Sequence, residues 1–292
     1  MFSVLRSSLK AGVGWLANQI LISRCFVYLH MLSNAGWSSG PIRSVSARLI
    51  ERFIFNFRLS PNALAEKIPV SWLRPQVLNG WAIASFCILK IERLMLRPIP
   101  SVLGLETICC AYRCGVIDCS DHFVSPSVYI VGRNTDRSFV TLMAPMIFES
   151  AIPRIEAKIE RLAGYTEITA KFPDGRPLFS AKVCPRKEKS ELKSKAFASL
   201  QDFVEFIKDG ISSYARSNTA EQYSRIDLYK EDTVYESMDA VVSFSQLDYD
   251  WKGAGLEYDS VARTGGGGLY KWTFKGKIPA LPQKDSGEEM MA

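Results

Sequence analysis

Three charged side chains stand inside apolar stretches of this sequence: Lys90, Glu106 and Arg113. A charge buried in such a stretch is costly unless it meets a partner, a strand end or a water-filled cavity. If they face a cavity, Arg113 and Lys90 suit recognition of an anion and Glu106 suits acid/base work. A structural ion pair is the competing expectation for each. Spacing separates them, because neighbouring side chains on a strand point to opposite faces. Glu106 shares parity with Ile108, Cys110 and Tyr112, whereas Arg113 falls with Thr107, Cys109 and Ala111. Lys90 shares its face with Ala82, Ala84, Phe86 and Ile88.

Other chemistries find little support. The chain has two histidines, His30 and His122, and no G-x-S-x-G segment, so the nucleophile elbow of a serine hydrolase is missing. Cys109, Cys110, Cys114 and Cys119 lie along one predicted strand. Alternation puts Cys109 and Cys119 on one face and Cys110 and Cys114 on the other, so they do not converge on a metal. We expect no metal site and no cofactor. The Gly265–Gly268 run precedes an alternating segment rather than a helix, which reads as a flexible hairpin loop and not a phosphate cradle.

The elements around these residues are mainly short and β-like. Residues 46–57 enter as a helix or a strand, and Ser60-Pro61-Asn62 opens a short helix with proline at its first position. Trp81–Arg93, Leu105–Cys119 and Ser127–Gly132 read as strands, and Tyr165–Phe172 with Pro177–Cys184 as a hairpin through Asp174-Gly175. Glu156–Ala163 is extended or helical. Ala240–Leu247, Leu256–Arg263 and Leu269–Lys275 alternate again. The clearest helix is Ser194–Tyr214, whose Phe197, Leu200, Phe203, Val204, Ile207, Ile211 and Tyr214 recur at helical spacing.

Of the 292 residues, 47% are apolar and 23% charged, an ordinary globular balance. The net charge of +6 owes much to the first 45 residues, where no carboxylate precedes Glu51. With no basic stripe interleaved with aromatics, nucleic acid is not an expected partner. Leu5, Leu9, Val13, Leu16 and Ile20 give residues 1–45 an apolar stripe. That stretch reads as a leader, an extra helix or a misassigned start, with peripheral membrane contact open to it. Arg24 and His30 interrupt any clean span, so no integral membrane segment is expected. An odd count of seven cysteines favours free thiols in a reducing compartment. The expected location is the cytoplasm, or a targeted one if the leader operates. Residues 46–278 form the expected domain and 279–292 a disordered tail.

Several segments together resemble a bacterial family of the acetoacetate-decarboxylase-like superfamily. They are Leu59–Ala65 with Pro69, Asn79–Ile83, Leu94–Pro100 leading into Gly104-Leu105, Glu106–Tyr112, and Ser127–Arg133. The resemblance implies a mainly β (α+β) fold, an antiparallel cone-like barrel with peripheral helices and an internal cavity. It also implies a small oxygenated or carboxylated organic ligand. Relatives in that superfamily use a Schiff-base lysine beside a second lysine after a Gly-Arg-Glu segment. Here Gly132-Arg133 is followed by Asn134, and residues 91–157 contain no lysine. The resemblance therefore gives Glu106 as a cavity carboxylate and Arg133 as a ligand-binding cation, without the lysine pair. The competing reading is a non-catalytic interaction module that uses the 194–214 helix.

Overall fold

The computed structural model describes residues 44–96, 105–120, 124–231 and 234–280. The expectations for residues 1–43, for His122 and for the chain end beyond 280 lie outside them.

The first described strand, β1 (Ser44–Leu59), is buried on both faces over its second half. Its sequence explains this. Phe53, Phe55 and Phe57 alternate with Arg52, Ile54, Asn56 and Arg58, and aromatic or β-branched residues suit a strand with packing on both sides. After the short helix α1 (Pro61–Ala65), capped by Ser60, come β2 (Leu73–Pro75) and β3 (Val77–Leu78). Strands β4 (Trp81–Leu96), β5 (Leu105–Asp118) and β6 (Ser125–Thr135) then form a meander. Helix α2 (Ser138–Phe148) follows, an element that no periodicity in the sequence announced.

Strands β7 (Glu156–Leu162), β8 (Tyr165–Lys171) and β9 (Pro177–Pro185) form a second meander. Helix α3 (Leu200–Asp209) leads into β10 (Ser212–Arg216), which lies parallel to β6, and into β11 (Gln222–Lys230). Strand β12 (Tyr235–Ser245), helix α4 (Gln246–Asp250), β13 (Glu257–Gly265) and β14 (Leu269–Pro279) complete the order.

Pairing of β1 with β4, β4 with β5, β5 with β6, β6 with β10, β10 with β11, β11 with β14 and β14 with β1 returns to its start. These strands make a ring. From β1 a branch runs through β13, β12, β9, β8 and β7. One core fills the space between this branch and the outer wall of the ring. There Phe86 stacks on Phe179 with centroids 3.9 Å apart, and Phe55 and Tyr112 flank the pair. A second apolar group lies inside the ring, where Ala47, Leu49, Ile91 and Tyr270 pack with Leu89, Leu228 and Trp272.

The chain is mainly β, as expected, but two expectations change. The helix spans Leu200–Asp209 rather than 194–214. Ser199 caps it by accepting from the Asp202 amide, and Asp202 accepts in return from the Ala198 amide. Ahead of it, Ser194 Oγ satisfies the amides of Ala196 and Phe197 in a separate turn. Beyond Gly210, Tyr214 belongs to β10, so the helical spacing of Phe197 and Tyr214 spans three kinds of local structure. Phe203 and Ile207 turn the apolar face of α3 inward, leaving Gln201, Asp202, Glu205, Lys208 and Asp209 at the surface.

The glycine run is likewise no hairpin loop. Strands β13 and β14 do not pair with each other. Each takes a different stretch of the same edge of β1: Glu51–Arg58 for β13 and Ser44–Arg48 for β14. The glycines carry the chain from one stretch to the next. Their backbone bonds to Leu49, with the Gly267 amide donating to the Leu49 carbonyl and the Leu49 amide donating to that of Gly268. A Cβ on Gly265 would stand 2.6 Å from the Ile50 carbonyl oxygen. Gly265→Ala is therefore expected to destabilise the protein by about 1–3 kcal/mol, read as a lower urea midpoint with an unchanged slope.

Candidate functional site

Register decides which side chains enter the ring. On β1, Ala47 and Leu49 face inward, and strict alternation would send Glu51 after them. Ile50 is an extra residue in the pairing with β4, so the parity changes there. Arg52 turns inward instead. Glu51 lies on the other side, where Arg161 and Arg263 donate to it at 2.9 and 2.6 Å. A second extra residue, Val131 on β6, acts in the same way. Arg113 pairs with Ile130 and Ala111 with Arg133, so Ile130 and Arg133, three apart in sequence, both face the ring interior.

The interior holds a cavity of about 170 Å³. Arg52, Arg113 and Arg133 line it, and none of its described lining residues is an aspartate or glutamate. Arg52 is 3% exposed. Its Nη1 donates to the Tyr270 hydroxyl at 3.3 Å and its Nη2 to the Cys87 sulfur at 3.5 Å. Arg52 Nε and Arg113 Nη2 are buried with no hydrogen-bond partner among the described residues. Arg133 donates to Ser150 Oγ, and its guanidinium lies 5.7 Å from the centre of the Phe148 ring.

Burial sets the electrostatics. It lowers the pKa of Arg113, and the neighbouring Arg52 lowers it further against the opposing pull of Cys87. Burial brings Arg133 down to about 10. For Arg52 burial also opposes the charge, but Cys87 and Tyr270 outweigh it and the pKa rises. Lys230, at the end of β11, is pushed down to about 7 by burial and then by Arg52 and Arg113. Its Nζ donates to the Ile207 carbonyl in the last turn of α3. The thiol of Cys109 is held up at about 11 by burial, so the cavity-facing cysteine is protonated near neutrality.

The charged residues picked out by sequence separate into two groups. Arg113 and Arg133 line the cavity together. Glu106 and Lys90 do not: they continue the face of Ile108, Cys110, Phe86 and Ile88, which packs on the sandwich core. Their side chains form an ion pair at 2.7 Å, with 51% and 36% exposure. An exposed pair of this kind contributes at most about 1 kcal/mol. The cysteines divide as alternation required, Cys110 and Cys114 entering the sandwich core and Cys109 the ring. Sequence reading missed Arg52 and Lys230. Arg52 carried a readable signal, a charge amid Leu49, Phe53, Ile54 and Phe55. Lys230 ends a polar segment and carried none.

Two expectations follow. Removing a half-buried charge without a partner among the described residues is stabilising when the replacement packs well, so Arg113→Met should raise the unfolding free energy of the ligand-free protein by about 1 kcal/mol. Lys230 supplies the second. An unfolded lysine keeps its proton to about pH 10, whereas the folded protein releases this one near 7. Between these values the unfolded chain binds more protons, so the Lys230 contribution to stability rises with pH. Lys230→Met removes that term. Its melting temperature relative to wild type should be highest below pH 7 and fall steadily towards pH 10.

No family model and no curated protein matches the chain. Solved structures do. Acetoacetate decarboxylase from Legionella pneumophila is 10% identical, with a TM-score of 0.56 over 82% of this chain and 89% of its own. The enduracididine biosynthesis enzyme MppR complexed with pyruvate is 12% identical, with a TM-score of 0.55 over 85% and 94%. Its complex with the condensation product of pyruvate and imidazole 4-carboxaldehyde gives 12% and 0.55 over 86% and 94%. At such identities the likeness is one of fold. With its ring of strands and its sandwich branch, the chain has the acetoacetate-decarboxylase-like fold.

Proposed function

We propose that the ring binds a small carboxylated organic molecule, with Arg113 and Arg52 receiving its anionic group. The observation that carries this reading is the pairing of the two arginines. Arg52 is buried and Arg113 half-buried, each leaves a buried guanidinium nitrogen unpartnered among the described residues, and no described lining residue is a carboxylate that could neutralise them. A carboxylate between them would accept from both forks and offset their repulsion. Arg133, higher on the same wall, supplies a further cation beside Ser150 and Phe148. The structure of MppR with pyruvate lends support, because a protein of this fold takes up a small carboxylate.

Glu106 and Lys90 have no part in this reading, since they pair on the opposite face of the wall. Nor does a lysine on β5 or β6 stand ready for Schiff-base chemistry, because residues 91–157 contain none. The proposal is therefore one of binding, with catalytic turnover left outside it.

Native mass spectrometry of the full chain tests it, with wild type run beside Arg113→Met and Arg133→Ala after incubation in millimolar pyruvate. Wild type should carry one small acid, from the cell or from the incubation. Arg113→Met should lose it and Arg133→Ala should hold it more weakly. A wild-type chain that stays empty, or an Arg113→Met chain that keeps the same adduct, would sink the reading.

A further inference from the structure

We infer that the ligand is a monocarboxylate with one compact apolar tail, aromatic or branched, rather than a polar keto acid or a dicarboxylate. The inference rests on the carboxylate reading above and extends it from the distribution of side chains along the ring.

Charge is concentrated towards one end of the ring, with Arg133 partway along, and the far end is apolar. On the β4–β5 wall, Arg113 lies opposite Ser85 at one end. The pairs then run through Cys87 and Ala111, Leu89 and Cys109, Ile91 and Thr107, to Leu94 and Leu105 at the other. The cavity lining becomes apolar along that direction, through Leu89, Ile91 and Leu94. Helix α2 follows β6 at the Cys109 end and adds Phe139, Met143 and Ile147 to the lining. Arg133 occupies the middle of the wall opposite Ala111, and its Nη2 is already engaged by Ser150. A carboxylate on Arg52 and Arg113 therefore directs the rest of its molecule towards hydrocarbon. Beyond Arg133, a second carboxylate or a keto oxygen placed among these side chains would lose water and gain few hydrogen bonds.

Volume limits the tail. A cavity of about 150 Å³ lined by apolar side chains accommodates a benzene ring, and this one measures about 170 Å³. One ring or one branched chain of similar bulk fits within it. Each buried methylene should tighten binding about fourfold.

Isothermal titration of the full chain with acetate, pyruvate, 3-methylbutanoate, benzoate and benzyl alcohol tests this. Benzoate and 3-methylbutanoate should bind at least about tenfold more tightly than acetate or pyruvate, and benzyl alcohol more weakly than benzoate. Ala144→Leu, which adds bulk on the cavity side of α2, should weaken benzoate more than acetate. Pyruvate binding as tightly as benzoate would overturn the apolar tail and leave the carboxylate reading standing. Equal weakening of acetate and benzoate by Ala144→Leu would overturn the placement of the tail under α2. Benzyl alcohol matching benzoate, or no binding by any of the acids, would overturn this inference and the carboxylate reading together.

Discussion

The structure depends on one strand, β1, serving two interiors at once. Its aromatic residues build the sandwich core and their neighbours project into the ring, so the charge inside the ring is set by strand parity. The extra residue Ile50 settles the outcome. Without that shift Glu51 would follow Leu49 into the ring and neutralise an arginine there. With it, Glu51 is consumed by Arg161 and Arg263 outside, and Arg52 enters in its place. The glycines that carry β13 over to β14 lie against this same point. Gly265 packs on the Ile50 carbonyl, so the crossing and the parity change occupy one location.

Concentrating cations in a largely apolar space works against folding, because each guanidinium gives up part of its water without gaining a carboxylate among the described residues. The protein limits the cost in three ways. The Tyr270 hydroxyl and the Cys87 sulfur accept from Arg52, the Phe148 ring lies beside Arg133, and Lys230 gives up its proton near neutrality. None of these devices supplies a negative charge to the Arg52–Arg113 pair. What remains is one buried nitrogen on each of these two guanidiniums without a partner among the described residues, the feature on which the proposed anion site rests.

Much of the fold was legible in the sequence. The long strands of the first meander were visible as apolar runs and β8 and β9 as a hairpin, while β7 was ambiguous between strand and helix. Parity correctly separated Glu106 from Arg113 and Cys109 from Cys110. What alternation could not reveal were its own interruptions. Val131 is an ordinary β-branched residue, and nothing in its identity marks it as the extra residue that brings Arg133 into line with Arg113. Helix α2 escaped notice because it is apolar on most sides: Leu142 and Met146 face outward while Met143 and Ile147 face the cavity. A helix of that kind shows little periodicity. The overlong reading of α3 failed for the opposite reason, since a turn, a helix and a strand happened to place apolar residues at helical intervals.

Glu106, given by the resemblance, and Lys90, given by its place in an apolar strand, show how far such signals carry into a site. Both positions matched an expectation of function, and both went to a face where they can meet each other but not the cavity. The ring interior instead collects inward positions from strands distant in sequence: Arg52 from β1, Arg113 from β5 and Arg133 from β6, with Lys230 at the end of β11. In such a ring inward positions on several strands reach the same cavity, so a cation lost at one place in the chain is replaceable from another. The absence of a lysine pair after Gly132-Arg133 therefore does not imply a neutral cavity. It moves the positive charge onto arginines, which bind carboxylates in a fork but are too basic to act as amine nucleophiles. That substitution suits the proposed recognition of an acid better than covalent chemistry upon it.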